Sequence, residues 1–262
     1  MTDFPSGSVW LIGAGPGDPE LLTRKAERLL YAADIVFYDA LVSQQILDML
    51  PGHIELQPVG KRAGRHSVPQ PMICDLIVKA ALNGKRVARL KGGDPTIFGR
   101  ANEETDACRA AGVAVQICAG VTTASAAAAS LTASLTTRGL ARRLTFVTAH
   151  TRNGALPDLN WQSLADPEAT IAVYMGKGAA PHIARGLITA GLGPDTPVVV
   201  VQDVSLSSEL HFPTKLNMLP LVARTALGNG PAIILIGEAM RCSERREKAM
   251  ENVKETLGSS AN

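Results

Sequence analysis

Short runs of apolar and β-branched residues alternate with amphipathic stretches along most of the chain. The first run, Val9 to Ile12, stops at Gly13-Ala14-Gly15-Pro16-Gly17. Asp18-Pro19 then opens a helical pattern with Leu21, Leu22, Ala26, Leu29 and Leu30 on one face, Asp18 serving as N-cap and Pro19 as the first helical residue. The same grammar recurs in strand-like runs at Ile35 to Tyr38, Val87 to Leu90 and Val113 to Ile117, with helical stretches near 69–83 and 99–111. That alternation predicts a mostly parallel α/β sheet.

Beyond Gly120 comes a stretch of small residues, Thr122 to Ser134, and then a second set of strand-like runs. They lie at Leu144 to Thr148, Ile171 to Tyr174, Val198 to Val201, Leu210 to Pro213 and Ala232 to Ile236. Runs in both halves and a transition near 119–121 predict two α/β domains, 7–119 and 120–241. The remainder, 242–262, carries Glu244, Arg245, Arg246, Glu247 and Lys248 and reads as a charged tail, a peripheral helix with a disordered end.

At 262 residues, 46% apolar and 19% charged, the chain is long enough for a full core and too apolar for disorder. No stretch reaches the roughly 18 uninterrupted apolar residues that a membrane span needs. Met1-Thr2-Asp3-Phe4 has neither the basic start nor the apolar core of a secretory signal, which places the protein in the cytoplasm. The formal charge of +2, from 26 basic and 24 acidic residues, argues against nucleic acid as a partner. Cys74, Cys108, Cys118 and Cys242 form no CxxC pair and the five histidines no HExxH, so neither a metal site nor a disulfide framework is expected. Cys118, in an apolar run, is expected in the core. Charge is uneven only locally. Lys61, Arg62, Arg65 and His66 crowd one segment and Arg138, Arg142 and Arg143 another; read alone, each is a solvated loop or helix end.

The first glycine loop is close to a dinucleotide fingerprint, but the last glycine of GxGxxG would fall at position 18, which is Asp18. Pro16 also withholds an N–H from any pyrophosphate, so the loop suits a wall better than a phosphate cradle. No GxxxxGK[ST] is present. A second loop, Lys91-Gly92-Gly93-Asp94-Pro95, again follows a strand and again ends in Asp-Pro. Each alone reads as a tight turn with a capping aspartate. Together they would line the crevice where open α/β sheets bind ligands.

These segments carry a resemblance. Gly13-Ala14-Gly15-Pro16-Gly17-Asp18-Pro19-Glu20-Leu21-Leu22-Thr23, Tyr38-Asp39-Ala40-Leu41-Val42, Val59-Gly60-Lys61-Arg62-Ala63-Gly64 and Arg89-Leu90-Lys91-Gly92-Gly93-Asp94-Pro95 stand in the order of the uroporphyrinogen-III C-methyltransferases, within the tetrapyrrole methyltransferase family. Phe98-Gly99-Arg100 with Glu103-Glu104, Val173-Tyr174-Met175 and Pro231-Ala232-Ile233 extend the resemblance to residues 9–240.

The resemblance implies two α/β domains with S-adenosylmethionine bound in a cleft between them, and a homodimer. It implies two successive methyl transfers to uroporphyrinogen III, giving precorrin-2 and S-adenosylhomocysteine, on the way to sirohaem, cobalamin or haem d1. Carried over position by position, the cofactor contacts are Pro16, Gly92, Gly93, Asp94, Ile97, Thr122, Thr123, Met175, Val204 and Ala232. The catalytic positions are Asp39 as base, Lys61 as proton donor, Arg100, and Glu103 as a second candidate base; alone, Glu103 with Arg100 would be a helix-surface ion pair. An acceptor with eight carboxylates calls for arginine forks, and Arg100 and Arg138 are the leading clamps, with Arg62, Arg65 and Met175 also toward the substrate.

The chain departs from the family pattern at several points. Gly99-Arg100-Ala101-Asn102-Glu103-Glu104 replaces Gly-Arg-Gly-Gly-Glu-Glu, Ala119-Gly120-Val121-Thr122 replaces Pro-Gly-x-Thr, and Thr137 stands where histidine is common. Thr123 stands where alanine is typical. A methyltransferase of the same fold acting on a later corrin intermediate is the nearest rival. A nicotinamide oxidoreductase is disfavoured by Pro16 and Asp18, and a non-catalytic tetrapyrrole carrier would bind porphyrinogen without consuming S-adenosylmethionine.

Overall fold

The computed structural model describes residues 4–60, 68–149 and 159–241. The charged tail 242–262, with Cys242, lies outside the described residues. The chain divides into two compact units, Met1–Thr123 and Ala124–Asn262. No helix among the described residues is long and apolar enough to cross a membrane.

The N-terminal unit contains β1 (Ser8–Gly13), α1 (Arg24–Tyr31), β2 (Ile35–Tyr38), α2 (Gln44–Asp48), β3 (Glu55–Pro58), α3 (Gln70–Leu82), β4 (Val87–Lys91), α4 (Ala101–Ala110) and β5 (Ala114–Cys118). Its five strands run in the order β3-β2-β4-β1-β5 and every pairing is parallel. Alternation with period two sends Trp10, Ile12, Val36, Ala88 and Leu90 into a core with Ala26, Leu29, Leu30 and Ile46. Val9, Leu11, Ile35, Phe37 and Val87 face the other way, against Ile73, Ile77, Ala101 and Cys108 of α3 and α4. With both faces covered, β1 and β4 are buried along their whole length, as central strands of parallel sheets are, Arg89 and Lys91 of β4 included. All four strand ends that matter for the site therefore open at one rim.

The helix expected from Asp18 is split. Asp18 accepts the Glu20 N–H, but caps only a single 3₁₀ turn, Pro19–Leu21, after which Leu22 is extended. Thr23 then accepts the Ala26 N–H and starts α1. Two competing caps lie five residues apart, and the second holds the buried leucines. The pattern also misses α2, only five residues long, and β3, an edge strand with mostly exposed side chains and Pro58 at its end. Cys118 lies in the core as expected, 2% exposed.

In the C-terminal unit, α5 (Thr123–Ser130) begins at the division. It is followed by β6 (Arg143–Thr148), α6 (Trp161–Leu164), β7 (Ala169–Tyr174), α7 (Ala180–Thr189), β8 (Pro197–Gln202), β9 (Leu210–Lys215), α8 (Leu219–Thr225) and β10 (Ala232–Ile236). The order is β6-β7-β10-β8-β9, and only β6 with β7 is parallel. This sheet is mixed, because β8 turns back into β9 within seven residues, too few for a crossover. Ile171, Val173, Val198, Val200, Ile234 and Ile236 pack on Ile183, Ala184 and Leu187 of α7.

Candidate active site

The two Gly-Asp-Pro turns meet. β1 and β4 are neighbours, and past their ends Gly15 and Gly93 form a bridge, the Gly15 N–H donating to Gly93 O at 3.1 Å and the Gly93 N–H to Gly15 O at 2.7 Å. The end of β5 joins them. A Cβ on Gly13 would lie 2.5 Å from the Gly120 Cα and 2.7 Å from Gly93 O, so three strand ends touch backbone to backbone. Asp94 fastens this knot: Oδ2 accepts the Gly120 N–H at 2.9 Å and Oδ1 accepts both the N–H and the hydroxyl of Thr96. The Ile97 N–H donates to Asp94 O, and the Thr123 Oγ1 lies 3.7 Å from where a Gly93 Cβ would be. Pro16, Gly92, Gly93, Asp94, Ile97 and Thr122 are thus at one rim, on loops past the ends of β1, β4 and β5, with Thr123 at the start of α5. Among the described residues this wall is largely backbone, with Asp94 fastening it, and fits an adenosyl group with a sulfonium better than a pyrophosphate.

Asp39 follows β2 at the same rim. Its Oδ1 accepts the Leu41 N–H at 3.0 Å, and its Oδ2 stands 3.8 Å from Nη2 of Arg89. Gly60 packs directly on the Asp39 and Ala40 backbone, where any Cβ would collide, which explains the glycine that heads the Gly60-Lys61-Arg62 block. Lys61, Arg62 and Arg65 lie outside the described residues. Leu41 is 59% exposed although it is apolar, and a Cβ on Gly92 would come within 2.7 Å of its Cβ.

Arg100 and Glu103 form a bidentate pair, Nε and Nη2 each donating to one carboxylate oxygen at 2.7 Å. These bonds raise the guanidinium's pKa above its ordinary value. Arg100 has φ 56° at the N-cap of α4, and Phe98, two residues earlier, has φ 53°. Left-handed backbone at a non-glycine residue is a strain that concentrates at functional sites. Phe98, an exposed apolar residue, stands in the Phe98-Gly99-Arg100 segment but receives no site role from the sequence.

In the C-terminal unit Met175 follows β7, Val204 follows β8 and Ala232 starts the antiparallel β10. The registers Tyr174 with Ile233 and Gln202 with Ala232 put all three at one end of the sheet. Met175 is half exposed with φ 54°, and buried Val204 sits between Asp203 and Ser205, both with positive φ. Tyr174 Oη accepts the Ala124 N–H at 3.3 Å while its ring meets Phe146 edge-on. Arg138 is on an exposed turn closed by the Leu140 and Ala141 N–H groups on Thr137 O.

A charged group inside the N-terminal unit is made of residues that the sequence motifs contain but assign no role. Glu104 is fully buried, its Oε1 accepting from Arg89 Nε at 3.0 Å and from Gln70 at 3.2 Å, its Oε2 from Lys91 Nζ at 2.8 Å. Burial, with Arg89 alongside, lowers the Lys91 pKa below the ordinary lysine value. Arg89 and Lys91 sit inside a strand run and read there as interruptions. Only their common spacing of two, which puts them on one face, could have flagged them.

Comparison with known proteins supports the family resemblance. The profile of the tetrapyrrole (corrin/porphyrin) methylases matches residues 8–220. A uroporphyrinogen-III C-methyltransferase of Paracoccus denitrificans is 46% identical over 91% of this chain and 83% of its own. Siroheme synthases also match, among them that of Gluconobacter oxydans at 43% identity over 90% of this chain; the chain spans about half their length. Among solved structures, uroporphyrin-III C-methyltransferase from Thermus thermophilus complexed with S-adenyl homocysteine superposes with a TM-score of 0.77 at 37% identity, over 90% of this chain and 99% of that one. A cobalt precorrin-4 methyltransferase gives 0.79 at 32%, over 89% and 96%. The chain, with its two α/β units and its paired glycine turns, belongs to the tetrapyrrole methylases.

Proposed function

We propose that the protein is an S-adenosylmethionine-dependent C-methyltransferase that adds two methyl groups in succession to uroporphyrinogen III, giving precorrin-2. The observation that carries this reading is the 46% identity, across 91% of the chain, with an enzyme of that name. The relative crystallised with S-adenyl homocysteine supports the choice of methyl donor. We place the reaction in the cytoplasm, on a homodimer, with no nucleic-acid or membrane partner; the balanced charge supports the exclusion of nucleic acid.

Bound S-adenosylmethionine supplies a methyl already activated as a sulfonium, so the protein's task is alignment more than activation. Pro16, Gly92, Gly93, Asp94, Ile97, Thr122 and Thr123 in the first unit, and Met175, Val204 and Ala232 in the second, are its proposed contacts, largely through backbone. Asp39 takes the proton that the macrocycle sheds after methylation, and Lys61 donates one. Arg100 and Arg138, with Arg62 and Arg65, hold substrate carboxylates, and Met175 bears on the substrate as well as the donor. Arg100 must exchange Glu103 for a substrate carboxylate, and that exchange releases Glu103 as the second proton acceptor.

Anaerobic incubation with uroporphyrinogen III and labelled S-adenosylmethionine, read by mass spectrometry, is expected to show two added methyls per macrocycle. None, with S-adenosylhomocysteine still bound by the protein, would overturn the acceptor and leave the donor standing.

A further inference from the structure

We propose that Arg89 is a positioning residue for Asp39, held in place by Glu104 and Lys91. The inference rests on the reading of Asp39 as the base. Its starting point is a charge imbalance. The side chains of Arg89, Lys91 and Glu104 are 4%, 5% and 0% exposed, so two positive charges and one negative share a space largely closed to water. Buried charges left unpaired are costly. The described ion pairs of this group contain one further anion, Asp39, with a side chain 23% exposed.

Geometry assigns the parts. β2 and β4 are adjacent, with Phe37 opposite Arg89, so Asp39 stands two residues further along toward the rim. The guanidinium of Arg89 is committed on its inner side: Nε to Glu104, Nη1 to Leu90 O at 2.8 Å and to Phe37 O at 3.4 Å. The remaining nitrogen, Nη2, faces Asp39 Oδ2. Glu104 in turn has both oxygens engaged, so it has no freedom to draw Arg89 away. The Leu41 N–H holds the other Asp39 oxygen. Asp39 is thereby oriented from two sides, by a backbone N–H and by a buried cation that Asp39 itself balances. Arg89, buried beneath the rim, acts through Asp39.

The test is a double-mutant cycle in the full chain, with Asp39→Asn, Arg89→Gln and their combination. The readouts are kcat for methyl transfer to uroporphyrinogen III and Kd for S-adenosylhomocysteine. Arg89→Gln is expected to lower kcat about 10- to 100-fold, a misplacement effect, with Kd unchanged. In the Asp39→Asn background the same change is expected to cost less than about twofold, because its target is gone. An equal loss in both backgrounds would overturn the proposal, since Arg89 would then act independently of Asp39. Full activity in Asp39→Asn alone would instead remove the base assignment beneath it. Should Arg89→Gln not fold, the cycle runs with Arg89→Lys, which keeps the charge but cannot reach Glu104 and Asp39 together; the same non-additivity is expected and the same additivity would refute it.

Discussion

Polar groups at the first unit's rim are engaged before any ligand is considered: Asp94 staples two loops, Arg100 is forked on Glu103, and Asp39 accepts from Leu41. Below them lies a different chemistry, in the cysteines of α3 and α4. Burial, with Cys74 beside it, pushes the Cys108 thiol up to about 11, so the nucleophilic thiolate is absent near neutrality. Iodoacetamide at pH 8 is expected to leave Cys108 unmodified in the folded protein and to alkylate it in urea, as mass spectrometry would show. The sign for stability follows from the raised value. The contribution is intact below pH 9, where the unfolded thiol is protonated too, and is lost as pH rises through about 11. What stayed illegible at this scale was the partnership of distant charges. Asp39 is visible from its motif, but Arg89, Lys91 and Glu104 become a unit only when β2, β4 and α4 are laid side by side, and a lysine within a strand-like run does not announce that it is buried.

Elements were legible in proportion to how much apolar surface they bury. The runs at 35–38, 87–90, 171–174, 198–201 and 232–236 are strands because their β-branched side chains fill both faces of a sheet. β3 escaped because its face is largely wet, and the direction of β9 escaped because strand polarity depends on loop length, not on composition. The split of the first helix yields a comparison between two caps. Thr23→Ala is expected to destabilise the protein by about 1 kcal/mol, since α1 carries Ala26, Leu29 and Leu30 into the core. Asp18→Ala, removing the cap of a single turn with no buried residue, is expected to cost less, about 0.5 kcal/mol, as surface substitutions away from the core do. Urea unfolding of both variants checks the order, and equal losses would mean that the 3₁₀ turn is part of the same cooperative helix.

For the whole molecule the near-zero balance of charge matters more than its sign. A formal charge of +2 on 262 residues provides little long-range attraction, so the proposed role of the local arginines in holding an octacarboxylate would act at close range. Raising ionic strength is therefore expected to increase KM for uroporphyrinogen III while leaving the S-adenosylhomocysteine Kd nearly unchanged. Arg138→Ala should raise that KM and flatten its salt dependence; titration of initial rates against salt measures both, and an unaltered slope would remove Arg138 from the binding surface. The two-unit plan was legible from the small-residue stretch between two sets of strands. The mixing of directions in the second sheet was not.

The contact of Gly13, Gly93 and Gly120 restricts how this sequence can change over time. Where two side chains crowd each other in a core, an enlargement at one site can be answered by a reduction at its neighbour, and lineages drift through such exchanges. Here the neighbour of the missing Cβ at Gly13 and at Gly120 is main chain, which no codon can trim, while Gly93 is held to glycine by its left-handed φ of 69°. Gly13 and Gly120 have no compensating partners, so a library randomised at both together should return glycine at both, with no paired alternatives, even under selection for folding alone.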